Sequence, residues 1–153
     1  MNERTLVIIK PDAVARRLVG EITSRFENKG LQLLYCRMIK EIDHAMLDMH
    51  YVDLVKKPYY PLIKESMTMG PVVVQVWQGP KAIQIVRKLL GATDPKDAAP
   101  GTIRGDLAID IGRNLCHASD SASSAVREIC LWLSDEHERY DTVDLQRNLL
   151  VRD

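Results

Sequence analysis

The chain of 153 residues is 46% hydrophobic and 27% charged, and its 21 basic and 21 acidic residues give a formal net charge of zero. These proportions are typical of a single globular domain that is long enough to bury its own core. Because general nucleic-acid and membrane-surface binders usually carry a basic excess, the charge balance favours neither class.

Targeting and redox features of the sequence predict a cytoplasmic protein. The first residues have the pattern of neither a secretory signal nor a transit peptide, and no run approaches the roughly 20 apolar residues of a membrane span. The three cysteines, Cys36, Cys116 and Cys130, form neither a disulfide framework nor a metal-ligand spacing. All three fall in apolar segments, so we expect reduced and buried thiols.

The first half of the chain predicts two strands, each followed by a helix. The β-branched run at residues 5–10 is typical of a buried strand. Apolar residues at helical spacing follow, and Gly30 is placed as their C-cap. Residues 31–39 form a second strand-like run. Asp43 can then cap a helix that extends through Leu54, where the segment KPYYP ends it.

The second half repeats this order around an irregular segment. Residues 72–77 predict a third strand, and the next helix, over 80–90, begins with proline in its first turn. Residues 92–114 show neither strand nor helix periodicity, and a short fourth strand is expected at 115–117. The last helix runs over 121–133, and its apolar stripe consists of Ala122, Ala125, Val126, Ile129 and Leu133.

Two successive β-α-β units define the expected fold. They predict an α+β protein of the ferredoxin-like βαββαβ type, a sandwich with a four-stranded antiparallel sheet and surrounding helices. We expect residues 1–153 to form a single domain, in which the polar and weakly patterned residues 134–153 are a C-terminal extension.

The irregular segment and the positively charged side chains near it each allow two interpretations. Residues 92–114 are either a surface excursion or a binding loop, and the arginines and the position just before His117 favour a loop. Arg87 lies at the edge of its helix's apolar stripe, where it either snorkels to solvent or joins Arg104 in a two-pronged phosphate site. Lys10, at the end of the first strand, is either solvated or in contact with a ligand.

His117, in the segment RNLCHASDS, is either a structural histidine or a nucleophile. The chain lacks the motifs G-x-x-x-x-G-K-[ST] and G-x-G-x-x-G, which argues against P-loop, Rossmann and protein-kinase sites. A serine hydrolase is disfavoured because G-x-S-x-G is absent and His117, Ser119 and Asp120 are too close in sequence for the usual triad. The four histidines show no metal-ligand spacing. A neutral imidazole near arginines and lysine can accept a phosphoryl group, but composition and spacing alone leave both interpretations open.

Six segments together resemble the nucleoside diphosphate kinase family. In chain order they are IIKPDAV (8–14), HYVDL (50–54), KPYY (57–60), GPVV (70–73), PGTIRGD (100–106) and GRNLCHASDS (112–121). The resemblance is collinear from about residue 3 to residue 133. It implies an enzyme that moves the γ-phosphate of a nucleoside triphosphate, typically ATP, to a nucleoside diphosphate. The reaction would be ping-pong, through a phosphohistidine.

The resemblance also implies roles for individual residues. His117 would carry the phosphate and Glu128 would orient its imidazole, although a helix projection makes Glu128 look like an ordinary exposed carboxylate. The implied nucleotide-binding residues are Lys10, Tyr51, Tyr59, Arg87, Thr93, Arg104 and Asn114. Among them, Lys10 would contact the sugar hydroxyl and terminal phosphate, Asn114 the ribose and Tyr59 the base. Mg²⁺ is the implied cofactor, held by the nucleotide phosphates and reached by Asp120 only through water.

Several positions depart from the family pattern. Ala118 stands where glycine is usual, so a positive φ there would strain the backbone. Tyr59 and Leu107 each replace a commoner phenylalanine, and the tail differs from the family's usual ending. Family members use the tail and the segment 92–114 in subunit contacts, so the unusual tail leaves two assemblies open: a homo-hexamer is expected, and a tetramer is the alternative. Nucleoside tri- and diphosphates are the expected partners, with no specific nucleic acid and no membrane. The rival interpretation is a nucleotide-binding regulatory protein of the same fold with impaired catalysis.

Overall fold

Four strands form a single antiparallel sheet in the computed structural model, which describes residues 2–133. They are β1 (Asn2–Ile9), β2 (Gln32–Ile39), β3 (Val72–Pro80) and β4 (Cys116–Ala118). The strand order is β2-β3-β1-β4, and every neighbouring pair is antiparallel. The predicted four-stranded antiparallel sheet is therefore confirmed. The predicted C-terminal extension, 134–153, lies outside the described residues.

Seven α-helices of the described residues cover this sheet. They are α1 (Pro11–Ala15), α2 (Val19–Asn28), α3 (His44–His50), α4 (Tyr60–Thr68), α5 (Ala82–Leu90), α6 (Ile103–Leu107) and α7 (Ala122–Trp132). None of these helices is long and apolar enough to cross a membrane. The α+β sandwich with surrounding helices is as the sequence predicts.

Helices pack on both faces of the sheet, and this explains the apolar composition of β1. Val7 and Ile9 join a core with residues of α2 and α5, such as Phe26 and Val86. The alternate residues of β1 join a second core with residues of α3, α4 and α7. Because side chains alternate between the faces of a strand, a strand covered on both sides is apolar at successive positions.

Capping residues lie at several helix ends, and the predicted caps at Asp43 and Gly30 are confirmed. Asp43 accepts a hydrogen bond from the backbone N–H of Ala45 at the start of α3, and Ser121 accepts one from Ser124 at the start of α7. Gly30 follows α2 with a φ of 95° and Gly91 follows α5 with a φ of 85°. Both glycines adopt a conformation that side chains with a Cβ rarely take.

The helices α1 and α4 are absent from the sequence-based prediction, and α3 ends at His50 rather than Leu54. The second proline of the KPYYP segment, Pro61, occupies the first turn of a new helix, α4. Proline is tolerated there because the first N–H groups of a helix have no intrahelical partner.

Boundaries in the second half also differ from the prediction. Pro80 closes β3 instead of opening α5, and Lys81 makes the turn between them in a left-handed conformation with φ 52°. The segment 92–114 contains α6 and two short 3-10 helices, Pro95–Asp97 and Ile111–Arg113. These elements span three to five residues, which is too short for a periodic pattern in the sequence.

Only one of the three cysteines lies where the sequence predicts. Cys116 is buried, whereas Cys36 and Cys130 are exposed. The thiol of Cys36 nevertheless accepts a hydrogen bond from the side-chain amide of the buried Gln75 at 3.7 Å. The prediction of buried thiols was wrong at these two positions.

Candidate functional site

His117 lies in β4 opposite Ile8 of β1, with 20% of its side chain exposed. The residue that leads into this strand, Leu115, has a φ of 74°, and the N–H of Cys116 donates to the carbonyl of Asn114 at 2.9 Å. A hydrogen bond across one residue of positive φ is a γ-turn, a strained arrangement for leucine.

Contacts from the beginning of α1 hold this turn in place. The backbone N–H of Lys10 donates to the carbonyl of Leu115 at 2.8 Å, and the side chain of Asp12 accepts from the N–H of Leu115 at 3.2 Å. The strained peptide therefore has both of its polar groups satisfied. The position of His117 is fixed by hydrogen bonds that reach back to the first strand.

Glu128 lies next to His117 and is buried, with 3% of its surface exposed. One carboxylate oxygen, Oε1, lies 2.8 Å from Nε2 of His117, and the other, Oε2, accepts from the hydroxyl of Ser119 at 2.7 Å. The helix projection was wrong here. The buried face of α7 consists of Ala125, Glu128 and Trp132, whereas Val126, assigned to the apolar stripe, is 65% exposed.

The bond between His117 and Glu128 fixes which ring nitrogen carries the hydrogen. A carboxylate can only accept, so Nε2 of His117 is the protonated nitrogen in this pair. The other ring nitrogen, Nδ1, then keeps its lone pair. His117 thus has the tautomer that a nucleophile requires, oriented by a buried carboxylate.

Neighbouring residues in β4 neither compete with His117 nor strain it. Burial raises the pKa of the Cys116 thiol to about 12, so this thiol stays protonated and is a poor nucleophile. Among the described residues other than glycine, φ is positive only at Arg17, Lys81 and Leu115. Ala118 therefore adopts ordinary strand geometry, and the departure from glycine brings no positive-φ strain.

Arg104 holds the loop against β4. It is 6% exposed and donates to three backbone carbonyls, those of Gly91 (3.1 Å), Asn114 (3.1 Å) and Cys116 (2.7 Å). These bonds join the two ends of the irregular segment to the strand that carries His117. A guanidinium has five N–H donors, so two hydrogens remain for other acceptors.

Lys10 and Asn114 are linked at the end of β1. The ammonium of Lys10 donates to Oδ1 of Asn114 at 2.7 Å, and the amide of Asn114 donates to the carbonyl of Thr93 at 3.1 Å. Burial, followed by the nearby Arg104 guanidinium, lowers the pKa of Lys10 to about 8. The structure thus brings four of the predicted nucleotide-binding residues into one group.

Arg87 and Asp120 lie at the other end of His117's strand. The guanidinium of Arg87 donates to the carbonyl of Ala118 at 3.3 Å, so this exposed arginine reaches the residue next to the histidine. Hydrogen bonds from Ser124 and Ser121, together with Arg87, hold the pKa of Asp120 below its usual range. Arg87 and Asp120 also share a groove of about 550 Å³.

The two predicted tyrosines differ in their placement. Tyr51 follows α3, and its ring centroid lies 6.0 Å from that of His117 in an edge arrangement. Burial and the Glu128 charge raise the pKa of Tyr51, so its hydroxyl stays protonated. Tyr59 precedes α4 with 48% of its surface exposed, and within residues 2–133 its side chain makes no hydrogen bond or ring contact with the His117 group.

The cluster of His50, His117 and Glu128 has the residue types of a metal site, with ligand atoms within 4.8 Å of one another. The hydrogen bonds oppose that use. The indole N–H of Trp132 donates to Nδ1 of His50 at 3.0 Å, which leaves the hydrogen of this neutral ring on Nε2, the nitrogen that faces the cluster. A protonated nitrogen has no lone pair for a metal, so this cluster is a poor cation site.

Sequence reasoning missed three residues of this group, His50, Ser119 and Trp132. Ser119 lies two positions after His117, and a strand period of two would place both on one face of β4. Trp132 lies four positions after Glu128, which places them on one side of α7. Both signals were present, but each is meaningful only once His117 is taken as the reference.

Comparisons with known proteins agree with this geometry. A family model described as nucleoside diphosphate kinase matches residues 3–137. A nucleoside diphosphate kinase of Pyrococcus furiosus is 55% identical over 137 residues, covering 88% of this chain and 84% of that protein.

Two solved structures are also similar to this chain. The nucleoside diphosphate kinase of Encephalitozoon cuniculi superposes with a TM-score of 0.87 at 40% identity. That of Halobacterium salinarum, in complex with CDP, has a TM-score of 0.85 at 41% identity. Each comparison covers 95% of this chain and 98% of the other. The chain therefore belongs to the nucleoside diphosphate kinase family.

Proposed function

We propose that this chain transfers the γ-phosphate of a nucleoside triphosphate, typically ATP, to a nucleoside diphosphate through a phosphohistidine at His117. The observation that carries the proposal is the 2.8 Å contact between Nε2 of His117 and the buried Glu128 carboxylate. It leaves Nδ1 as the free nucleophile and gives the ring a counter-charge. Since donor and acceptor nucleotides would bind in turn, a single nucleotide site is sufficient.

The transfer needs no proton movement to begin. The Nδ1 lone pair attacks the γ-phosphorus, and a nitrogen–phosphorus bond forms. The bond from that phosphorus to the β–γ bridging oxygen breaks, and its electron pair leaves with the nucleoside diphosphate. The ring keeps its Nε2 hydrogen and becomes positively charged opposite Glu128. The second half-reaction is the reverse with another diphosphate as acceptor.

The cationic residues would position the phosphates. Arg104 has unused N–H donors and Arg87 lies beside Ala118, so both can meet phosphate oxygens near His117. The ammonium of Lys10 lies next to the side chain of Asn114. We assign Lys10 to the terminal phosphate and Asn114 to the ribose. Thr93 would donate a further hydrogen bond. Positioning and dispersed positive charge are what phosphoryl transfer chiefly requires.

The aromatic residues would shape the rest of the pocket. The exposed ring of Tyr59 offers a face on which a base can stack, and stacking tolerates different bases. Tyr51, which stays protonated, can donate its hydroxyl hydrogen beside His117.

The donor set also fits Mg²⁺ carried by the nucleotide. Asp120 is an exposed, ionised carboxylate close to Arg87, and Mg²⁺ prefers such oxygen ligands while keeping several waters. When bound, the ion would neutralise charge on the β- and γ-phosphates. We therefore propose Mg²⁺ as the cofactor, with Asp120 reaching it through water.

We also propose a cytoplasmic homo-oligomer, a hexamer rather than a tetramer. Exposed apolar side chains support association: Met38 on the edge strand β2 is 54% exposed, and Ile109 and Ile111 beyond α6 are 85% and 59% exposed. The three free thiols support a reducing compartment. Sedimentation equilibrium would distinguish a hexamer from a tetramer by mass.

The proposal predicts an acid-labile phosphate on His117. Brief incubation with γ-labelled ATP and Mg²⁺ should give one phosphate per chain, detected by intact mass at neutral or alkaline pH and lost on addition of GDP. His117→Ala should abolish the adduct and lower kcat/KM by on the order of 10⁴-fold or more, because the nucleophile is gone. His44→Ala, which changes an exposed histidine of α3, is the matched control. A folded, ATP-binding wild type without the adduct would favour the regulatory-protein interpretation instead.

A further inference from the structure

His50, the last residue of α3, lies between Trp132 and the pair formed by His117 and Glu128. It is 3% exposed, and its ring meets that of His117 edge-on with centroids 4.4 Å apart. Its Nδ1 accepts the indole N–H of Trp132 at 3.0 Å, so the ring hydrogen is on Nε2. The hydrogen bond from Trp132 therefore sets the tautomer of His50.

The Nε2 group of His50 has a hydrogen but no hydrogen-bond partner within residues 2–133, although it is fully buried. Its nearest anion is Glu128, whose Oε1 lies 3.8 Å away. This is the same oxygen that contacts His117 at 2.8 Å. Two N–H groups from perpendicular rings thus face one carboxylate oxygen, and only one of them is bonded. An unused buried donor is costly, and such sites often have a function.

The surroundings keep His50 neutral. Burial lowers the pKa of His50 to about 2, and the cationic side chains of Arg127 and Lys10 act in the same direction, as does His117. The guanidinium of Arg127 binds the backbone carbonyl of His50 itself. Tyr51 lies on the remaining side, with ring centroids 4.5 Å apart, and stays protonated. His50 therefore provides an N–H dipole and not a charge.

We propose that His50 is a positioning residue for the second half-reaction, in which its Nε2–H keeps Glu128 ionised and thereby keeps the hydrogen on Nε2 of phosphorylated His117. This inference rests on the proposed phosphohistidine mechanism. It assigns His50 no contact with substrate, because it acts through Glu128.

The location of that hydrogen decides how reactive the phosphohistidine is. With the hydrogen on Nε2, the phosphorylated ring is cationic, and cleavage of the nitrogen–phosphorus bond releases a neutral imidazole. If the hydrogen moves to Oε1 of Glu128, the ring becomes neutral, and the same cleavage would have to release an imidazolate, a much poorer leaving group. An N–H donor close to Oε1 favours the carboxylate over the carboxylic acid. His50 therefore favours the reactive form.

Variants of His50 should affect the two half-reactions unequally. His50→Phe keeps an aromatic ring and removes both nitrogens. We expect transfer from the phosphoenzyme to GDP or ADP to slow about tenfold, because the variant lacks the N–H dipole that faces Oε1 of Glu128 from 3.8 Å. Phosphorylation by ATP should change less than threefold, so the first half-reaction shifts toward the phosphoenzyme. His50→Gln places an amide N–H near the position of Nε2 and should restore most of the rate.

Trp132 provides an independent check on the tautomer. Trp132→Phe frees the ring of His50 to place its hydrogen on either nitrogen, so part of the same delay should appear. In the His50→Phe background the Trp132 change should add no further delay, because the donor is already absent. Such non-additivity in the transfer rate is expected only if both residues act on the same group.

Rapid-quench measurement of both half-reactions, together with ¹⁵N spectra of the histidine rings, tests the proposal. In wild type we expect His50 to remain in the Nε2–H form from pH 5 to 8 and phosphorylated His117 to keep its Nε2 hydrogen. In His50→Phe that hydrogen should be lost. Equal slowing of both half-reactions, or no rescue by His50→Gln, would indicate a purely structural role and overturn the inference.

The failure of this inference and that of the proposed function are distinguishable. A wild type that acquires no phosphate would overturn the mechanism itself. A wild type that is phosphorylated, with variants that transfer to GDP at its own rate, would overturn only the role of His50. If His50→Phe does not fold, the wild-type spectra and the Trp132→Phe rates still decide the question.

Discussion

The two sides of the site are held by different kinds of hydrogen bond. On the nucleophile side, formed by His117, Ser119, Glu128 and His50, side chains bond to side chains, and His50 does so through Trp132. On the loop side, formed by Arg104 and the segment 91–114, a side chain bonds to backbone carbonyls. The first arrangement sets hydrogens and charges on the reacting group, whereas the second sets the shape of the backbone. Substitutions on the two sides should therefore separate chemistry from stability.

The largest combined effect is expected for Arg104→Ala on the loop side. The substitution removes the buried guanidinium, so three backbone carbonyls lose their hydrogen-bond donor. The free energy of unfolding should therefore fall by about 3 kcal/mol. The phosphorylation rate should also fall, on the order of 10²-fold, because the loop no longer holds its position. Thermal unfolding and rapid quench measure the two effects. Arg113→Ala, an exposed arginine of the same segment, is the control. A stable but inactive Arg104→Ala would show that the loop does not depend on this clamp.

Glu128→Gln on the nucleophile side should change the phosphorylation rate much more than the stability. An amide can still accept from Nε2 of His117 and bond to Ser119, so the free energy of unfolding should change by less than about 1 kcal/mol. The lost negative charge should nevertheless lower the phosphorylation rate on the order of 10²-fold, since the ring becomes cationic during transfer. Glu65→Gln, an exposed carboxylate of α4, serves as control. A large loss of stability in Glu128→Gln would remove the distinction between the two sides.

Lys10 joins the two sides, and its effect should depend on pH. Its pKa is about 8 in the folded chain against an ordinary value of 10.5, so the unfolded chain binds more protons between these values. The destabilising contribution of Lys10 is therefore present below about pH 8 and is relieved as the pH rises toward 10.5.

The same titration should weaken nucleotide binding. As Lys10 loses its proton above about pH 8, the KM for GDP should rise, by at most about tenfold per pH unit. Steady-state kinetics from pH 7 to 9.5 would measure this rise. Lys10→Met should raise KM at every pH and remove the dependence, while Lys96→Met, an exposed lysine of the loop, should retain it. A flat wild-type profile would place Lys10 away from the phosphates.

The smallest effect is expected for Tyr59, which belongs to neither side. Tyr59→Ala should raise KM about tenfold with little change in kcat, because base stacking contributes roughly 1–3 kcal/mol. Tyr59→Phe, which keeps the ring, should have a smaller effect than Tyr59→Ala. Titration of binding by intrinsic fluorescence would measure both, and equal effects of the two variants would argue against stacking.

The fold could be predicted from sequence wherever local signals were strong. The β-branched run of β1, the cap at Asp43 and the glycine after α2, Gly30, each indicate an element without reference to the rest of the chain. α4 was missed because a proline such as Pro61 is compatible both with the end of a helix and with the first turn of a new one. Only the fold decides between these two cases.

The site was predictable only in part, because its central contacts are tertiary. A projection of α7 treats apolar residues as buried, and so it assigned Val126 to the core and Glu128 to solvent. Glu128 is buried because His117 and Ser119, on another element, provide its partners. Family resemblance supplied the role of Glu128, but the function of His50 had no counterpart in local pattern.

The γ-turn at Leu115 has a consequence for when the site can form during synthesis of the chain. Its partners belong to the start of the chain: the backbone N–H of Lys10 donates to the carbonyl of Leu115, and the side chain of Asp12 accepts from the N–H of Leu115 across 103 positions. Until the ribosome has released β4 and α7, neither the turn nor the carboxylate beside His117 can form. Closing so long a loop is also a slow, late step of folding. A chain that ends before α7 therefore lacks Glu128, and we expect His117 to become reactive only after β4 and α7 have both been synthesised and folded.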